Sequence, residues 1–156
     1  MTDIESLEQR IKLLEEECGK LSDIEAIRQL RYKYWRCIHK GLWDDLMDCY
    51  ADDAVVDFGY GLQLEGTTAL KDFYEGSMAS AYTLVDPQGH NPEIEILSPT
   101  TARGFWQLDN TMVESQSSKA VRVGASYDEE YIKLNGEWKI SVQKVNHIYR
   151  QVVETE

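Results

Sequence analysis

The chain contains three histidines, His39, His90 and His147. Imidazole titrates near neutrality, so it takes a proton and returns it with little driving force wasted. Apolar burial holds it neutral, the form that acts as a base. His39 raises the question most directly. It lies in "RCIHKGLWDDLMDCYADDAVVDFGYG", residues 36–61, where a helix runs out, a short helix follows and a strand begins. Tyr34, five residues earlier, falls on the core face of the same helix, and a buried phenol needs a partner that a ligand oxygen could supply. Five residues are about 500° of helix rotation, which leaves His39 some 140° from Tyr34. For both to serve one site, the helix must unwind before Gly41 and turn His39 inward. The plain alternatives are a surface histidine and a packing aromatic. Three histidines also raise a metal reading, but no pair stands at i, i+4 and no cysteine cluster helps, so no metal site is expected. Asp44, Asp45, Asp52, Asp53, Glu129 and Glu130 read as a solvated acidic surface with helix-start roles. No glycine-rich phosphate loop or dinucleotide fingerprint is present, so no cofactor is expected.

The elements that must position these residues are legible in the periodicity. Ile4, Leu7, Ile11, Leu14, Cys18 and Leu21 alternate spacings of three and four, a heptad stripe over an N-terminal helix, residues 1–21. It is too short for a stable isolated coiled coil, so it packs on its own domain or on a sister subunit. Ser22 with Glu25 reads as a capping box opening a second helix and the main domain, residues 22–156. That helix presents Ile24, Ile27, Leu30, Tyr34, Cys37 and Ile38 and ends at Gly41. Residues 43–50 make a short helix. From residue 54 the period becomes two: "AVVDFGYG" and "LQLEG" form a hairpin, with Phe58 and Tyr60 on one face of the first strand. "TTALKDFYEGSMASA" is a helix capped by Thr67. Long strands follow, with Asn135-Gly136 as a strong hairpin turn. Helices first and a long antiparallel meander after is an α+β pattern, helices packed on one face of a bent sheet.

Composition bounds the function. A chain of 156 residues is one domain by size. The net charge of −12, without a basic patch, argues against nucleic acid and against an anionic membrane surface. No run approaches a membrane span and no secretion signal is legible. Cys18, Cys37 and Cys49 are odd in number and lack metal spacing, so they read as free thiols in a reducing cytoplasm.

"DIEAIRQLRYKYWRCIHKGLWDDLMDCYADDAVVDF" resembles the opening of the SnoaL-like and scytalone dehydratase-like families, within the nuclear transport factor 2-like superfamily, and is most similar to their bile acid 7α-dehydratase branch. "PEIEILSPTTARGFW" and "YDEEYIKLNGEWKI" resemble the later strands, so the likeness covers about residues 20–150. It implies a cone-shaped, cystatin-like fold: a curved antiparallel sheet wraps three helices around an apolar pocket, here with an extra N-terminal helix. It also implies roles. The family's helix tyrosine, a donor to the substrate carbonyl, falls on Tyr34, and its acidic residue five positions on falls on His39. The catalytic histidine falls on Pro87 and its aspartate partner on Asn110, with Asp109 one residue out of register, where alternation turns it to the other sheet face. The pocket tyrosine of the first strand falls on Phe58 and an arginine of the last strand on His147. The His–Asp dyad is therefore absent from its usual positions. Two of the three histidines occupy functional positions, with His90 near a third.

The resemblance thus leads to an expectation: a cofactor-independent lyase, a dehydratase or related elimination catalyst, acting on a small hydrophobic aromatic or polycyclic metabolite. His39 or His147 would be the base, and Tyr34 with Asn110 would hold the developing oxyanion, with His90 in reserve. Phe58, Tyr60, Trp106, Leu108 and Met112 would form the wall, with Gln107 and Asp109 facing away. A double-bond isomerase or cyclase would use the same groups. A catalytically silent ligand-binding or oligomerisation module is the alternative of another class, because the fold hosts all of these. The family also leads to an expected homo-oligomer, dimer or trimer.

Overall fold

The computed structural model describes residues 2–153. Its first element, α1, runs from Asp3 to Lys40 as one uninterrupted helix of 38 residues, about 57 Å long. The expected break at Ser22 does not occur. The capping box lies instead at Thr2 and Glu5, and Ser22 and Glu25 sit mid-helix. Ser22 has helical neighbours on both sides, and nothing there terminates the hydrogen-bond ladder. The helix also stays regular to its end. Gly41 adopts φ +66°, and the Leu42 N–H closes on the Cys37 carbonyl at 2.9 Å. The unwinding that would have turned His39 inward is therefore absent.

Residues 2–22 of the chain are exposed throughout, and the expected packing of the stripe on its own domain does not form. From Ile27 onward α1 enters the body, burying Ile27, Arg31, Tyr34, Trp35, Cys37 and Ile38. The short helix α2 (Trp43–Met47) follows, then β1 (Tyr50–Asp57) and β2 (Gln63–Glu65). Helix α3 (Thr67–Asp72) is capped by Gly66, not Thr67; it widens into a π-helix over Phe73–Met78 and closes with the turn α4 (Ala79–Ala81).

Four long strands complete the chain: β3 (Tyr82–Ser98), β4 (Thr101–Glu114), β5 (Ala120–Leu134) and β6 (Glu137–Val153). The β5–β6 turn is Asn135-Gly136, both at positive φ, as the type I′ geometry demands. The sheet order is β2-β1-β6-β5-β4-β3. It is antiparallel except between β1 and β6, which run parallel. Helices and sheet together form the expected α+β cone. Trp35 packs against the β3 backbone at Gly89, where a Cβ would lie 1.8 Å from its ring, and meets Trp106 edge-on at 5.0 Å. No helix among the described residues is long and apolar enough to cross a membrane.

Two bulges in β6 decide what that strand shows the cone. Ile140 pairs with Tyr131 but Val142 with Glu130, so Ser141 is extra; His147 pairs with Ala125 but Tyr149 with Gly124, so Ile148 is extra. Each extra residue reverses which parity faces inward. Trp138 and Ile140 face in before the first bulge, Gln143, Val145 and His147 between the two, and Arg150 after the second.

Candidate active site

The open end of the cone holds a cavity of about 390 Å³. Its wall is mostly apolar and aromatic. β4 contributes Leu108, Asn110 and Met112 by period-two alternation, and β5 contributes Val123, Ala125 and Tyr127. Phe58 and Gly59 come from the loop after β1, and Tyr34 and Ile38 from α1. Phe73, Tyr74 and Met78 come from the π-helical segment, a feature concentrated at functional sites.

The cavity brings together three of the five residues expected to do chemistry: Tyr34, Asn110 and His147. His39 is not among them. It caps the surface end of α1, its Nδ1 3.1 Å from the Val85 carbonyl and 3.3 Å from an Asp86 carboxylate oxygen, and so ties the helix to β3. His90 is also outside. It lies 3.0 Å from Asp109 on the opposite face of the sheet, where the Tyr149 hydroxyl reaches the same carboxylate at 3.2 Å. Pro87 and Asn110 are direct register partners and both line the cavity. Of the expected wall, Phe58, Leu108 and Met112 line the cavity. Tyr60 stands not on a strand but in the Gly59–Gly61 loop, almost wholly exposed, and reaches the rim by stacking on His147 at 4.7 Å. Trp106 lies deeper, in the core, donating through its indole N–H to Tyr131 at 2.9 Å.

His147 has a defined tautomer. Its Nε2 is 2.7 Å from the Phe58 carbonyl oxygen, which can only accept, so Nε2 carries the proton and Nδ1 the lone pair. Gly59 permits this approach: at φ +78°, a Cβ there would lie 3.0 Å from the imidazole Cδ2. Asn110 Oδ1 has no hydrogen-bond partner among the described residues, and Asn110 lines the cavity, so it can accept from a donor bound there. Arg150, brought in by the second bulge, pairs with Glu114 at the cavity edge.

Beneath the floor runs a buried polar chain. The Tyr34 and Tyr74 hydroxyls are 3.1 Å apart. Gln143 Oε1 accepts from Tyr34 at 3.3 Å and from Tyr50 at 3.2 Å, while Gln143 Nε2 donates to Glu129 at 2.7 Å. The carboxylate accepts only, which fixes the orientation of the amide. Tyr131 donates to the same carboxylate, and Arg31 faces it at 3.2 Å, with both charged side chains fully buried. The Arg31 guanidinium lies 4.0 Å from the Tyr34 ring centre, 4.3 Å from Trp35 and 4.8 Å from Tyr127. Glu129 is thus a core ion-pair partner, contrary to the solvated surface expected from its charge.

Burial would push the Arg31 guanidinium down, but Glu129 outweighs it and the net shift is upward. Burial raises the Tyr34 phenol well above its ordinary range, with Tyr74 adding to the rise and Arg31 opposing it. Burial also pushes Tyr74 up to about 12. Both phenols stay protonated at neutral pH and act as hydrogen-bond donors, not bases.

Alternation gave a usable signal for Glu129. It continues the inward series Val121, Val123, Ala125, Tyr127 of β5. Arg31 sits four residues after Ile27 and three before Tyr34, on the buried helix stripe. Tyr74 and Arg150 carried no comparable signal, because a π-turn and a bulge set their directions.

An α+β cone with an apolar cavity at its open end places the molecule among the proteins of the nuclear transport factor 2-like superfamily. The model of the SnoaL-like domain matches residues 19–144, and the chain belongs to that family. Solved structures agree on the fold. A type 2 LinA hexachlorocyclohexane dehydrochlorinase is 19% identical, covers 88% of this chain and 93% of its own, and superposes with a TM-score of 0.84. A candidate scytalone dehydratase from Novosphingobium aromaticivorans DSM 12444 is 16% identical over 90% of this chain and 93% of its own, with a TM-score of 0.82. The type 3 LinA of Novosphingobium barchaimii LL02 is 18% identical over 88% and 94%, also at 0.82.

Proposed function

We propose that this chain is a cofactor-independent lyase, a dehydratase or related elimination catalyst, for a small hydrophobic aromatic or polycyclic metabolite. The observation that carries this reading is His147. Its Nε2–H is committed to the Phe58 carbonyl, which leaves a lone pair on Nδ1 at the mouth of an apolar cavity floored by protonated phenols. In this reading Nδ1 removes a proton from the carbon beside a substrate carbonyl. The electron pair moves onto the carbonyl oxygen. Tyr34 or Tyr74 donates to that oxygen; Tyr34 is free to do so because Tyr50 continues to satisfy Gln143. As the enolate collapses, the carbon–oxygen bond at the adjacent carbon breaks. The leaving hydroxyl takes the proton back from His147 and departs as water. Asn110 binds a polar group of the substrate from the β4 wall. The LinA and scytalone dehydratase names, attached to proteins of this fold, support the reaction class, and the bile acid dehydratase resemblance supports a polycyclic substrate.

His39 and His90 take no part in this scheme. A double-bond isomerase would use the same base and donors, returning the proton to carbon. Pro87 opposite Asn110 favours the second reading, a non-catalytic ligand-binding module, because no imidazole–carboxylate pair faces the cavity there. The free thiols, two of them buried, support a reducing, cytoplasmic location.

The test is turnover of a panel of hydroxylated aromatic and polycyclic ketones by wild type and by His147→Ala. Loss of roughly 10²- to 10⁴-fold in kcat, with binding of an unreactive product analogue little changed, supports the lyase. Wild type that binds panel members without converting any of them selects the binding module.

A further inference from the structure

The N-terminal half of α1 carries an apolar stripe that nothing else among the described residues covers. Ile4, Leu7, Ile11, Leu14 and Leu21 are each between 52% and 68% exposed, and they alternate spacings of three and four with Cys18 completing the series. The segment from Asp3 to Ser22 projects about 30 Å from the body. Its own body cannot fold back to cover the stripe, because the helix is continuous. At about 100° per residue, the stripe and the buried face formed by Ile27, Arg31, Tyr34 and Ile38 point about 160° apart. The seam therefore opens away from the body, and a second helix can lie along it without meeting either body.

We propose that this arm zips in parallel with the same arm of a second copy of the chain. Ile4, Ile11 and Cys18 take the a positions and Leu7, Leu14 and Leu21 the d positions. β-Branched residues at two a positions with leucine at every d favour two strands. The flanking charges favour the parallel arrangement. Arg10 at a g position meets Glu15 at the following e position of the partner, once on each side. The like-charged pair Asp3–Glu8 falls in the frayed first turns. An antiparallel arrangement offers as many attractive pairs, Arg10 with Glu17 on each side, but sets Glu8 against Glu15 twice within the body of the zipper, where the repulsion is not relieved by fraying. The next positions of the repeat, Glu25 and Arg28, are polar and bridge each other at 3.7 Å, so the seam stops as the helix enters the body. Three heptads are marginal alone, so the association is concentration-dependent.

Cys18 reports the geometry. It is the exposed thiol, whereas Cys37 and Cys49 are buried. In the parallel zipper two Cys18 side chains share one layer, within reach of a disulfide; in the antiparallel one they stand about 16 Å apart along the axis. The full chain is examined by sedimentation equilibrium at tens of micromolar and by mild oxidation with denaturing electrophoresis. The expected result is a reversible dimer that oxidation links through Cys18. Ile11→Glu with Leu14→Glu should lose both the dimer and the link while melting as the wild-type body does, since both residues are exposed. A wild-type monomer overturns the proposal. So does a dimer that survives the double substitution, and so does a seam-dependent dimer that does not link through Cys18.

Discussion

The two halves of α1 belong to one unbroken helix and reverse the usual relation between polarity and burial. The outer half exposes its leucines and isoleucines; the inner half buries an arginine completely. What differs is the opposite wall. Among the described residues no other part of the chain faces the outer half, whereas the inner half lies inside the cone, where Glu129 supplies a counter-charge and Tyr34, Trp35 and Tyr127 supply rings around the guanidinium. Asp23 marks the join. Its Oδ1 accepts from Lys133 at 2.8 Å and from the Trp138 indole at 2.9 Å, pinning the helix to the β5–β6 hairpin where the arm leaves the body. Apolar patterning thus predicts a surface that seeks a partner, and only the fold says whether that partner lies in the same chain.

The contrast is sharpest at the ion pair, where the largest loss of stability is expected. Arg31→Ala or Glu129→Ala strands a buried charge and should cost about 3–5 kcal/mol in denaturant unfolding. Arg31→Met combined with Glu129→Leu should cost less than either single change, because no charge is left unpaired. Equal or greater loss in the double variant would mean that the polar chain is held by more than this pair.

Tyr34→Phe removes one hydroxyl from the same chain but no charge. A loss of about 0.5–1.5 kcal/mol is expected, with a fall in turnover larger than this stability change explains. Tyr74 also lines the cavity and remains as a donor in that variant, so activity should be reduced and not abolished.

At the join the effect is a pH dependence. Burial raises the Asp23 carboxyl, but hydrogen bonds from Lys133 and Trp138, with the Lys133 charge, outweigh it and the net shift is downward. A depressed carboxyl contributes stability above its unfolded pKa and loses it as pH falls through the folded value. Asp23→Asn should therefore cost stability near neutrality, where the carboxylate's contribution is complete, and flatten the acid limb of the stability curve below the ordinary aspartate range. An unchanged acid limb would remove Asp23 as the pin.

In the outer half the smallest effect is expected. Leu7→Ser, measured at dilution where chains do not associate, should alter unfolding stability by no more than about 0.5 kcal/mol. A loss comparable to a core substitution would break the comparison, since it would mean that the arm does pack on its own body.

Much of the fold could be read without coordinates because it depends on local chemistry. Asn135-Gly136 supplies the positive φ values that a two-residue hairpin needs, and Gly41 supplies the left-handed residue that ends α1. Leu108, Asn110 and Met112 share a face because strand alternation is rigid. The errors share one cause, a direction set by something distant in sequence. Ser22 and Glu25 have the residue types of a capping box, yet continuing the helix leaves no backbone donor to cap. His39 has the chemistry of a base, yet the regular helix holds it at the surface end of α1, against Val85 and Asp86 of β3. His90 and Asp109 form a close pair on the wrong face of the sheet for the cavity.

By itself the sequence determined the α+β order of elements, the Tyr34 face of α1, the turn types, the cavity wall of β4 and the heptad stripe. Each follows from a period or a preferred backbone angle that a few neighbouring residues impose. Tertiary structure alone decided which histidine meets the cavity, that Arg31 and Glu129 are buried together, and that the stripe is left open. The two β6 bulges are the physical reason for the first of these. An extra residue at Ser141 and another at Ile148 reverse the strand's inward parity twice. They turn Gln143 and His147 inward, send Tyr149 out and bring Arg150 back, a choice made by pairing with β5 and not by the β6 residues on their own.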